Sequence, residues 1–103
     1  MSLIIEQDVY ANGRTALRLY DDSNIPYGNI TVNLPDEDLS EGHVFLDSQL
    51  TDDTSPMADV LTVLEEKHLL GRTGRICAPR HSFCVYHEAE LYELDLERYH
   101  LVD

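Results

Sequence analysis

Only one segment of this chain carries helical periodicity, and that restricts the fold more than any other feature. Met57, Val60, Leu61 and Leu64 recur at three- and four-residue steps, the spacing that keeps side chains on one face of a helix. Ser55-Pro56 is a fitting entry, with Ser as N-cap and Pro at the first helical position, and Gly71 supplies the stop. Parallel strands need crossover connections, usually helices. With a single helix, expected over residues 56–70, the strands must pair antiparallel.

Strand signals lie on both sides of that helix. Residues 3–10 and 15–20 flank Ala11-Asn12-Gly13-Arg14, and an Asn-Gly pair between strand-like runs is a strong hairpin signal. In the second run Thr15, Leu17 and Leu19 alternate with Ala16, Arg18 and Tyr20, as a strand with one buried face requires. Residues 21–27 read as a loop, 29–34 as a third strand closed by Pro35, and 43–47 as a fourth. Residues 35–42 read as an exposed acidic loop, and Gly71-Arg72-Thr73-Gly74-Arg75 as a loop after the helix. Residues 82–86 and 91–96 are expected to form a last hairpin turning at 87–90, with a short helical turn after Asp95. The order predicts one α+β domain over residues 1–103, an antiparallel sheet of five to six strands with the helix on one face.

The 103 residues include twenty acids against seven basic residues, a formal net charge of −13. Residues 1–66 hold fourteen acids and two arginines, residues 67–87 hold four basic residues and no acid, and residues 88–103 hold six acids and Arg98. An acidic body is thus interrupted by one basic stretch. Binding DNA, RNA or an anionic membrane depends on meeting phosphate with Lys and Arg, so the balance argues against direct contact with any of them. No apolar run reaches the roughly 18–20 residues of a membrane span. Residues 2–5 lack the basic start of a signal peptide, and the expected location is the cytoplasm.

Two cysteines, Cys77 and Cys84, are too few for the disulfide framework of a small secreted domain. With His81 and His87, and with His68 nearby, they raise the question of zinc. The Cys-x2-4-Cys knuckle of structural zinc sites is absent, and strand alternation would turn His81 and His87 away from Cys84. Neither a metal nor another cofactor is expected. No G-x-S-x-G, P-loop or H-E-x-x-H motif is present, so the expected role is non-enzymatic. The Gly-Arg-Thr-Gly-Arg run has the composition of an anion-binding nest, but it follows a helix instead of opening one. Arg72, Arg75 and Arg80 stand as a second contact surface.

The acids give the functional reading its content. Residues two apart on a strand lie on one face about 6.6 Å from each other, comparable with successive phosphates of a nucleic acid. Glu6 with Asp8, Glu88 with Glu90, and Glu93 with Asp95 and Glu97 have that spacing, while Asp21, Asp22, Asp36, Glu37, Asp38 and Glu41 add loop carboxylates. Apart from Glu6 and Asp8, these are the candidate partner-binding residues. Such an array suits the basic groove of another protein, with on-rate gained from long-range attraction. The plain alternative is an acidic surface that only solubilises.

The run Tyr10-Ala11-Asn12-Gly13-Arg14-Thr15 through Gly28-Asn29-Ile30-Thr31-Val32-Asn33-Leu34-Pro35, then Gly71-Arg72-Thr73-Gly74-Arg75 and Phe83-Cys84-Val85-Tyr86, resembles a family of small uncharacterised acidic proteins carried by phages and conjugative elements of gut bacteria. The likeness spans most of the chain and departs after Tyr86, where His87 stands in place of a proline. Mobile elements carry small acidic inhibitors of host defence. The resemblance therefore implies an anti-CRISPR or anti-restriction protein whose partner is a CRISPR effector or restriction enzyme with a basic channel. An accessory interaction module of a plasmid, phage or conjugative element is the second expectation, binding through an apolar or sheet-edge patch with little salt dependence.

Overall fold

The computed structural model describes residues 2–80 and 82–102. The elements are β1 (Ser2–Val9), β2 (Thr15–Asp21), β3 (Pro26–Asn29), β4 (Thr31–Val32), β5 (His43–Leu46), a 3-10 turn (Ser48–Thr51), α1 (Met57–Glu66), β6 (Leu70–Cys77), β7 (Tyr86–Leu91) and β8 (His100–Val102). The class is α+β, with antiparallel pairing throughout, but the strands form two sheets of four, ordered β3-β2-β1-β8 and β4-β5-β7-β6.

The first hairpin forms where Asn12-Gly13 calls for it, with Val9 opposite Thr15. Its turn is a three-residue one: Gly13 N–H donates to Tyr10 O and Tyr10 N–H to Arg14 O, each at 2.8 Å. Gly13 alone takes positive φ, at 85°, the residue-three position of a type I turn with a bulge.

The expected third strand is split between the sheets. Ile30, fully buried, donates its N–H to Leu17 O at 2.9 Å and accepts from Asp47 N–H at 2.9 Å, so its two backbone groups serve different sheets. Next to it the Thr31 hydroxyl accepts from Leu17 N–H at 3.0 Å and bonds the Tyr10 hydroxyl at 2.8 Å. A threonine side chain thus takes the place of the next backbone partner of β2, and the chain is released to pair with β5.

Helix α1 starts as its sequence dictates, the Ser55 hydroxyl accepting from Met57 N–H at 3.2 Å. It ends sooner than expected, at Glu66. His68 adopts φ 55°, and its N–H bonds Glu65 O while Leu69 N–H bonds Leu64 O, both at 3.1 Å. These two bonds are a Schellman closure with histidine in the left-handed position usually held by glycine. Gly71 lies within β6 and stops nothing. Because a side chain at that φ costs on the order of 1 kcal/mol, we predict that His68→Gly raises the melting temperature by about 4–8 °C, read by thermal unfolding. A lower melting temperature would show that the imidazole makes compensating contacts.

The region after the helix departs most from expectation. The Gly-Arg-Thr-Gly-Arg run is strand, not loop. Leu70 pairs Leu91 and Arg72 pairs Ala89, after which the register shifts and Ile76 pairs His87. Residues 73–75 bulge opposite Glu88 alone, and Gly74 makes the bulge at φ 93°. The expected turn at 87–90 lies inside β7, residues 82–85 belong to the β6–β7 connection, and 91–96 form no strand beyond Leu91. The segment after Asp95 makes a turn through Arg98, at φ 61°, and then returns as β8 against β1. One core joins both sheets and the helix, built from Leu3, Ile5, Leu17, Leu19 and Leu101, from Val44, Leu46, Leu70, Ala89 and Leu91, and from Met57, Val60, Leu61, Val63 and Leu64.

Candidate functional site

With Val44 and Leu46 turned to the core, strand alternation places His43 and Phe45 on the opposite face of their sheet, where Glu90 and Glu88 stand across from them. The acidic segment 35–42 folds back over this outer face. Beneath it Phe45 is 1% exposed and the Glu88 side chain 7%. His43 Nδ1–H donates to Glu88 Oε2 at 2.7 Å, Arg75 Nη1 donates to Glu88 Oε1 at 2.6 Å, and the guanidinium lies 5.7 Å from the centre of the Phe45 ring. Burial pushes the Glu88 carboxyl up, but the hydrogen bonds and charges of His43 and Arg75 outweigh it and hold the group below the usual glutamate range. Glu88, expected in the binding array, is instead the ionised brace of this face.

The brace extends to the loop. Arg75 Nη1 also donates to Asp38 O at 2.6 Å. From the first hairpin, Arg14 donates to Leu34 O at 2.7 Å and to Glu37 O at 2.6 Å. Two arginines from different sheets thus grip the acidic loop by its carbonyls, while Asp36, Asp38 and Glu41 stay exposed. Glu37 is half-buried beside Cys77.

Between the first hairpin turn, residues 39–43 and the end of β7 lies a cleft of about 700 Å³, lined in part by Arg14, Glu41, His43, Glu90 and Leu94. Of the acids, Glu41 and Glu90 border this opening, whereas Asp36 and Glu37 line a separate hollow of about 370 Å³ with Pro79, Arg80 and Ser82. The strand spacing read into 93–97 is not realised: Glu93 accepts from Asp95 N–H, Asp95 from Glu97 N–H, and Glu97 from Gln7 N–H, in a turn laid against β1. Asp21 and Asp22 stand apart at the far end of that sheet. Asp21 accepts from Ser23 and Ile25 N–H as a turn-former, and Asp22 accepts from the Ser2 hydroxyl. Of the second contact surface, Arg72 is paired with Glu65 at 3.1 Å and Arg75 with Glu88, and Arg80 is exposed in the β6–β7 connection. What the sequence did not disclose is the role of Arg14 and His43. The signal for Arg14 was its place beside Gly13 at a hairpin end.

Among the described residues no group of three or more His, Cys, Asp or Glu is arranged to hold a metal ion; His81 lies outside them. Cys77 and Cys84 are free thiols, the first buried and the second exposed. Burial, then the neighbouring Glu37 carboxylate, push the Cys77 thiol up. A thiol-reactive chromogenic disulfide at neutral pH should therefore consume one thiol in the native protein and both after denaturation. Consumption of both in the native protein would mean that the loop does not cover Cys77. No helix among the described residues is long and apolar enough to cross a membrane.

No family model, curated protein or solved structure matches the chain.

Proposed function

We propose that this chain is a non-enzymatic inhibitor that sets the carboxylates of Asp36, Asp38 and Glu41, with Glu90 beside them, into the basic nucleic-acid channel of a host defence nuclease of the CRISPR or restriction type. The observation that carries the reading is the manner in which the loop is held. Arg14 and Arg75 grip carbonyl oxygens, so the loop is ordered through its backbone, and no ion pair among the described residues ties down the carboxylates of Asp36, Asp38 or Glu41. An array ordered in advance loses less conformational freedom on binding than a mobile tail of the same charge. Its exposed carboxylates add to the long-range field, which favours fast, steered association.

The test is capture of purified nucleases of both types on the immobilised chain at about 0.05 M and about 0.5 M salt, where the screening length falls severalfold. Retention at the lower salt, release at the higher and displacement by the nuclease's own nucleic acid are expected. Retention indifferent to salt and to nucleic acid would instead support the accessory-module reading, for which Phe83 at the β6–β7 tip is the natural contact.

A further inference from the structure

We infer that this chain associates with itself head to tail, the tip of the β6–β7 connection in one copy entering the acidic cleft of the next. The inference does not depend on the inhibitor reading. The tip presents Phe83 at 108% exposure, with Val85 and the adjoining Ile76 near half. Ser82 N–H donates to Pro79 O at 3.1 Å, Cys84 N–H donates to the Ser82 hydroxyl at 3.0 Å, and that hydroxyl meets Tyr86 OH at 3.4 Å. The Ser82 hydroxyl therefore ties the backbone on either side of Phe83, so burial of the phenyl ring by a partner costs little additional order. Arg72 and Arg75 are engaged by Glu65 and Glu88, so the charge the tip brings is that of Arg80.

A surface that covers such a tip must offer both apolar area and carboxylate, and this chain carries one. The cleft of about 700 Å³ is lined by Leu39 and Leu94, the latter 68% exposed, with Glu41 and Glu90, and its basic residues Arg14 and His43 are already engaged by loop carbonyls and by Glu88. Tip and cleft lie at opposite ends of β7: Tyr86 adjoins the tip and Leu91 lines the cleft, about 17 Å apart at the rise of a strand. The tip of one copy therefore cannot enter its own cleft. A copy whose cleft is filled still offers its tip, and such a heterologous contact adds copies in succession. One phenylalanine and its neighbours make an interface at the small end of the range, so association is weak and concentration-dependent.

Sedimentation equilibrium at about 0.15 M salt and concentrations up to about 1 mM tests this. Phe83→Asp removes the tip, and Glu90→Lys with Leu94→Lys blocks the cleft; all three positions are exposed, so the core is untouched. The wild-type mass should climb with concentration from 11.8 kDa without halting at a dimer. Each variant alone should remain a monomer. Their equimolar mixture should reach twice the monomer mass and stop, since one intact tip then meets one intact cleft. A wild type that stays monomeric throughout overturns the proposal, as does either variant associating like the wild type, or a mixture that fails to associate.

Discussion

Glu88→Gln should lower stability by about 2 kcal/mol near neutral pH, a fall in melting temperature of roughly 10 °C for a chain of this size. The glutamate sits opposite a bulge that brings Arg75 over it, and its two oxygens take bonds of 2.6 and 2.7 Å from Arg75 and His43. An amide keeps the volume but loses the charge, and its NH2 group faces one of the two donors. Arg75 and His43 retain partial exposure, at 42% and 21%, so water relieves part of the loss. The pH dependence separates this cause from a packing defect. Because the folded state holds the Glu88 carboxyl below its usual range, its stabilisation is fully present above the unfolded glutamate value and is lost as pH falls through the folded one. The stability gap between wild type and variant should therefore be widest above about pH 5 and close toward acid. Denaturant unfolding at several pH values measures it, and a gap that does not change with pH would remove the ionised brace from the account.

The sequence made some of this legible and hid the rest for physical reasons. Asn12-Gly13 and Ser55-Pro56 act through the backbone of their own few residues, and both held: a hairpin and a helix start where those residues stand. The end of α1 is not legible because glycine is the common residue for a left-handed closure, and here His68 performs it three residues ahead of Gly71. Residues 29–34 read as one strand because nothing local marks a change of sheet. That change rests on a hydroxyl from Thr31 meeting Leu17 across fourteen positions. An isolated glutamate belongs on the surface, whereas the burial of Glu88 needs Arg75, His43 and the folded-back loop at once. The Thr-Gly-Arg run looked like a loop for a sound reason, since Gly74 does bend the chain; the bend is a bulge within a paired strand.

The acidic loop is where fold and proposed function meet, and reversing Asp36, Asp38 and Glu41 to lysine should have the largest effect on binding. These side chains are exposed, and the loop is held through the carbonyls of Leu34, Glu37 and Asp38. The triple variant should therefore fold as the wild type does. Arg14→Ala is the complement, since it leaves every carboxylate in place and removes two of the three bonds by which arginine side chains hold the loop. It should bind more weakly than wild type yet keep the wild-type salt dependence. The decisive measurement is the affinity of the triple variant for a nuclease that the wild-type chain captures, taken across a series of salt concentrations. An affinity lower by about 100-fold or more, with a much shallower dependence on salt, is the predicted result. An unchanged affinity and slope would contradict the claim that this ordered row of carboxylates is what the partner's basic channel receives.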